Sequence, residues 1–279
     1  MAQALPQINT NTEVSHESTL FAEPIFHLGN FTITNSLLNS WAVVLIIILL
    51  AWSLKKKLAK IPGKLQAGWE IVLEGALNLA DSVTGDRKRT LQVFPIVFAM
   101  FLFILLNNWL GMLPGVGSIG FIEQSGKEAV FVPLLRGATA DLNTTLALAI
   151  FSVLGSNIFG IFIVGLWKHF NKFINIKAFA EIPKKIIKDP AIIIVNPIKA
   201  FVGIIEVIGE VAKVASLSFR LFGNVFAGEV LLSAMAVIFA FILPVPFMFL
   251  EIIVGLIQAL IFSMLTLVYF SIASTAEEH

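Results

Sequence analysis

The sequence contains no cysteine, which excludes disulfide frameworks, thiolate-held metals and thiol redox chemistry. Charge is scarce too: only 13% of residues are Asp, Glu, Lys or Arg, and the formal net charge is +1. The absence of any long basic block removes the electrostatic basis for binding nucleic acid. The first thirty residues lack the basic region and compact apolar core of a secretory signal peptide and read as a retained polar tail. What is abundant is apolar: 57% of 279 residues are hydrophobic and the mean hydropathy is +0.90, beyond an ordinary soluble domain. The expected solvent is the bilayer.

A spanning helix needs about 20 mostly apolar residues, because each advances roughly 1.5 Å across about 30 Å of hydrocarbon. The first such run, 37–54, ends in Lys55, Lys56, Lys57 and Lys60, with no Lys or Arg before it. The positive-inside bias therefore makes 1–36 an external tail and 55–90 a cytoplasmic segment. Within that segment, Gln66 to Asp81 carries apolar side chains at helical spacing with acids between them. This predicts an amphipathic helix lying along the interface or against a neighbour. The run Asp86, Arg87, Lys88, Arg89 precedes a second span, Leu91 to Leu113, whose Pro95 suits a first helical turn. A third span, Leu142 to Trp167, returns to Lys168, Lys172, Lys177, Lys184, Lys185 and Lys188. Thus 91–167 holds two spanning helices joined by an external loop, and 168–196 is a basic cytoplasmic loop.

Residues 197–279 form a compound region. Its first arm, from Pro197 to the Pro244/Pro246 turn, would be about 70 Å long as a single helix, more than a perpendicular span needs. Either it breaks near Gly209 or Gly223, or it lies steeply tilted, with Phe247 to Ala273 folded back on it as a hairpin. The predicted fold is an all-α membrane protein with about five membrane-crossing helices and one interfacial amphipathic helix. The C-terminus falls in the cytoplasm.

The external loop contains GVGSIG, a literal G-x-G-x-x-G at Gly115, Gly117 and Gly120 with Asp141 about twenty residues on. A dinucleotide fingerprint must follow a strand and open a helix, whereas this one follows a membrane helix and Pro114, so it reads as a glycine-rich turn. Gly126-Lys127 is followed by Glu128 and lacks phosphate-loop spacing, which leaves ATP chemistry to another chain. No cofactor or metal is expected.

An arginine at the bilayer centre costs about 2.5–3.5 kcal/mol on insertion scales, so Arg220 should face protein or water. On a straight helix Lys199, Glu206, Glu210, Lys213, Ser216 and Asn224 project within roughly 80° of it, as one polar stripe. The four nearer the start of the helix read as a solvated or snorkelling face. Glu229, nine residues on, points to the opposite side, so arginine and acid serve different faces. Glu251 and Gln258 are nearly eclipsed on the last helix, and Tyr269 continues their line; Gln258 also suits inter-helix glue. In a hairpin Glu229 and Glu251 would meet as a pair of acids, suited by burial and mutual repulsion to hold and release a proton near neutrality. Asn107 and Asn108 read as helix glue or headgroup-level residues. Asp141 and Asn143 read first as a helix cap and second as channel lining. His16 and His27 sit in the tail without a cluster of ligands.

The stretch SLSFRLFGNVFAGE (Ser216 to Glu229), followed by LIQALIFSMLTLVYFSIAS (Leu256 to Ser274), resembles the paired signature of the subunit a family of F-type ATP synthases. ADLNTTLALA (Ala140 to Ala149) resembles that family's third-span entrance, and the similarity extends from about Trp41 to the end. The resemblance implies that Arg220 is the essential arginine, that Glu229 is the channel acid, and that Ser216, Asn224 and Gln258 are polar lining positions. It also implies a strongly tilted hairpin facing a rotor ring of c subunits, a b-subunit peripheral stalk, and a bacterial plasma membrane. Bacterial relatives often carry histidine where this chain has Glu251, so the pair here is Glu/Glu, which either shares a proton or coordinates a cation. A secondary cation/proton exchanger is the main rival, since it too places acids and an arginine in the membrane. Exchangers usually show two related halves, whereas here the polar residues concentrate in one terminal hairpin.

Overall fold

The computed structural model describes residues 14–15, 19–56, 62–113, 116–125, 128–167, 192–239, 242 and 244–274. The lysine-rich stretch 168–191 therefore lies outside the described residues, as do Lys57, Lys60, His16, Gly115, Gly126-Lys127 and the side chain of Lys199.

Apolar runs of sufficient length become helices, because in hydrocarbon a backbone must satisfy its own polar groups. The helices are α1 (Asn35–Lys56), α2 (Lys64–Thr84), α3 (Arg87–Gly111), α4 (Leu142–Val164), α5 (Ile192–Ile238) and α6 (Pro244–Ser274). All but α2 contain a stretch long and apolar enough to cross a membrane. α2, with Glu70, Glu74 and Asp81 among its apolar residues, is the amphipathic helix expected at 66–81.

α2 ends at Gly85, whose φ of 67° places it in the left-handed region that glycine tolerates, and its N–H caps Asp81 O. Asp86 then caps α3 by accepting from Lys88 N, and an Arg87–Asp81 ion pair bridges the corner. This cap starts α3 at Arg87, four residues before the apolar run, so Pro95 is interior rather than in the first turn. It leaves the Leu91 carbonyl without its intrahelical donor.

α5 runs unbroken for 47 residues, through Gly209 and Gly223, both with open space beside them. Of the two ways to accommodate its length, a break at either glycine is therefore overturned.

The regions read as a tail and a loop also contain strands. Pro24–Leu28 (β2) and Phe31–Thr34 (β3) pair antiparallel around Gly29, at φ 62°. Gly120–Ser125 (β4) pairs antiparallel with Glu128–Pro133 (β5), and Val14–Ser15 (β1) adds to β5 in parallel. Gly120 thus opens a strand, which supports rejecting the dinucleotide reading.

α6 is central and packs on α3, α4 and α5. One core joins these four through Met100, Ile104, Val153, Leu217, Leu221 and Phe262, and another seats α2 through Ala80, Val97 and Phe270. Polar glue crosses the interfaces. Asn39 Nδ2 donates to Asn107 Oδ1 at 3.0 Å, Asn108 Nδ2 to Gly255 O at 2.9 Å, and Ser152 Oγ to Thr266 Oγ1 at 2.8 Å. The two asparagines serve as the inter-helix glue the sequence suggests.

Candidate functional site

The face of α5 that carries Leu217, Ser218, Leu221 and Phe222 is buried against the bundle. Arg220 lies on the other side, exposed together with Ser216, Gly223 and Asn224. Its Nη2 reaches Ser216 Oγ at 3.4 Å, one helical turn back. Gln258, buried on α6, donates from Nε2 to the Arg220 backbone carbonyl at 3.3 Å. The hairpin thus pins the main chain of the arginine while its side chain stays exposed.

Glu229 turns inward. Arg136, in the segment between β5 and α4, donates to it from Nε to Oε1 at 3.0 Å and from Nη2 to Oε2 at 2.9 Å. This is the forked geometry that makes arginine–carboxylate pairs strong and specific. The Arg136 side chain is 4% exposed and that of Glu229 27%. The sequence reading missed Arg136, although it is the lone charge in the run AVFVPLLRGATA, 129–140, just before a span. It also has the wrong sign for the external loop that the sequence predicts from the positive-inside bias.

Glu251, half-buried on α6, presses its carboxyl against the bare Cα of Gly228, the residue beside Glu229. The hairpin therefore does bring α6's acid next to α5's acid. The Glu229 carboxylate is in addition held by an arginine from a third element, which the sequence reading did not include.

Further along α5, Lys213 Nζ binds Glu210 Oε1 at 2.7 Å, and Asn157 Nδ2 on α4 donates to Glu210 Oε2 at 3.1 Å. The same ammonium sits 5.3 Å from the Tyr269 ring centroid. Glu210 and Lys213 are thus half-buried members of the α4–α5–α6 contact, not a freely solvated face. Tyr269 belongs with them.

Asp141 is buried and caps α4: Oδ1 accepts from Asn143 N at 3.2 Å, and Oδ2 from Thr144 Oγ1 at 2.9 Å. It also accepts from Ala22 N and from Ser36 Oγ, both at 3.2 Å. Asn143 itself is exposed.

Together, the fold and these charged groups define a multi-pass helical membrane protein that keeps an arginine and acids on spanning helices, an arrangement retained for function by default. Residues 37–271 match the family model described as ATP synthase A chain. An ATP synthase subunit a from Syntrophobacter fumaroxidans is 33% identical over 87% of this chain and 85% of its own length. That from Mycobacterium tuberculosis is 33% identical over 90% and 91%, and that from Moorella thermoacetica 30% identical over 88% and 93%. The chain belongs to the ATP synthase A chain family.

Proposed function

We propose that the chain is the ion-conducting stator subunit of a rotary ATP synthase in a bacterial plasma membrane, working beside a c-subunit ring and a b-subunit stalk. The N-terminus lies outside and the C-terminus in the cytoplasm, following the lysine clusters. The observation that carries this reading is the outward arginine. A permanently charged side chain on a spanning helix is costly in lipid, and Arg220 faces away from its own bundle among Ser216, Gly223 and Asn224. Such a surface suits the passing carboxylates of a partner. The small residues allow close approach, and a tilted α5–α6 hairpin would lay this face along a ring.

In this mechanism an aqueous half-channel from outside approaches Glu229 and Glu251, and a second opens to the cytoplasm on the other side of Arg220. A proton from outside neutralises a ring carboxylate, which can then turn into lipid, because burying a neutral acid costs far less than burying its ion. After nearly a full rotation the acid loses its proton to the second channel. Arg220 stabilises the bare carboxylate as it passes and repels a proton hopping directly between channels. Each elementary charge crossing yields about 2.3 kcal/mol per 100 mV, so several crossings must drive each ATP.

Arg220→Ala should leave a complex that co-purifies with a ring and a soluble ATPase yet makes no ATP from an imposed ion gradient. Normal synthesis in that variant would remove the proposed role. An exchanger would instead purify alone and transport ions unaided.

A further inference from the structure

We infer that Arg136 is a positioning residue for ion translocation. It holds Glu229 as an anchored carboxylate and ties the N-terminal segment to α5, leaving Glu251 as the acid that exchanges protons at this end. This rests on the reading of the chain as an ion-conducting subunit and divides labour between two acids that the reading leaves equivalent.

All five guanidinium N–H donors of Arg136 have acceptors. Nε and one Nη2 hydrogen serve Glu229. The other Nη2 hydrogen meets Thr19 O at 2.8 Å, and Nη1 meets Thr19 Oγ1 at 3.0 Å and Phe21 O at 3.3 Å. The segment held in this way is stitched to the start of α4 as well, by Leu142 N to Leu20 O at 3.3 Å and by Ala22 N to Asp141 Oδ1. The main chain beside Arg136 is fixed too, since Gly137 abuts Gly111 and Leu134 N donates to Ile119 O at 2.8 Å.

Protonating Glu229 would strand a buried, permanently charged guanidinium without its counter-charge, the costly way to break such a pair. Glu251 has no such constraint. Among the described residues it has no ion pair or hydrogen bond, and its carboxyl lies against the Gly228 backbone. Two further acids at this end, among the described residues, are engaged. Asp141 accepts four hydrogen bonds, and Glu23 is bound by Asn35 Nδ2 at 3.2 Å and Thr19 Oγ1 at 3.4 Å. Arg220, the guanidinium on α5, is exposed.

The test uses the whole ATP synthase in proteoliposomes, with synthesis measured against pH on the loading side at a fixed potential, and co-purification of the ring and soluble sector as the assembly control. Arg136→Gln should lower the rate by about tenfold and change the shape of the pH profile, because Glu229 is then left without its counter-charge. Arg136→Gln combined with Glu229→Gln removes both charges. It should recover a large part of the rate lost in Arg136→Gln, with the wild-type profile. Glu251→Gln should abolish the titration. A double variant as inactive as Glu229→Gln alone, or a wild-type profile in Arg136→Gln, would overturn the proposal. If Arg136→Gln does not assemble, the double variant is compared with Glu229→Gln alone: a faster double variant supports the proposal, and equal loss in the two overturns it. Wild-type complex that makes no ATP, or Arg220→Ala complex that does, would instead defeat the functional reading itself.

Discussion

The carboxyl of Glu251 occupies the space that a side chain on Gly228 would need: a Cβ built at Gly228 would collide with the Glu251 Cδ and both carboxyl oxygens. Two helices approach here because one of them presents bare backbone, and the acid comes to rest on that backbone beside Glu229. The obstructing atoms are the end of a flexible side chain, so the helices need not part to relieve the collision. Gly228→Ala should therefore assemble normally but push the Glu251 carboxyl out of place, lowering gradient-driven ATP synthesis by about tenfold, equivalent to about 1.4 kcal/mol in barrier height. Synthesis rates in proteoliposomes check this, and an unchanged rate would mean that the position of Glu251 is immaterial.

Gln258 touches Arg220 only through the backbone carbonyl, so its effect on the guanidinium is indirect. Gln258→Leu removes one buried hydrogen bond, worth about 0.5–1.5 kcal/mol, and leaves the charge of Arg220 in place. The expected result is an assembled complex with synthesis reduced by less than about tenfold, against complete loss in Arg220→Ala. Equal loss in the two variants would place Gln258 on the ion route itself.

The spans were legible because length and apolarity are properties of a local run, and Arg220 was legible because its cost in hydrocarbon is independent of its neighbours. Pairings across the chain were not. Arg136 and Glu229 are 93 residues apart, with no shared periodicity to link them, and only the fold brings them to 2.9 Å. Glu210 and Lys213 stood out as a polar stripe, but neither their pairing nor the Asn157 that receives Glu210 from another helix was read there. The strands escaped notice for a different reason. β2 to β5 are four to six residues long, too short for alternation to stand out beside helices of more than twenty.

Asp141 and Asn143 separate a structural role from a transport role. Asp141 satisfies four donors from a buried position, binding the first turn of α4, the start of α1 and the N-terminal segment. Asp141→Ala loses a cap worth about 0.5–2 kcal/mol and strands at least one buried donor at about 1–3 kcal/mol, so the total should reach about 2–5 kcal/mol. Asp141→Asn keeps one acceptor oxygen, while its new amide faces the Ser36 and Thr144 hydroxyls, which can rotate to accept; about 1 kcal/mol should be lost. Asn143→Ala alters an exposed side chain and should stay within about 0.5 kcal/mol. Thermal denaturation of the detergent-solubilised complex measures this order, and ATP synthesis on the same preparations separates the roles. If the cap explains Asp141, synthesis by Asp141→Asn stays near wild type while its melting point falls. Were Asp141 part of the ion path, its neutral amide would block synthesis without disturbing the melting point.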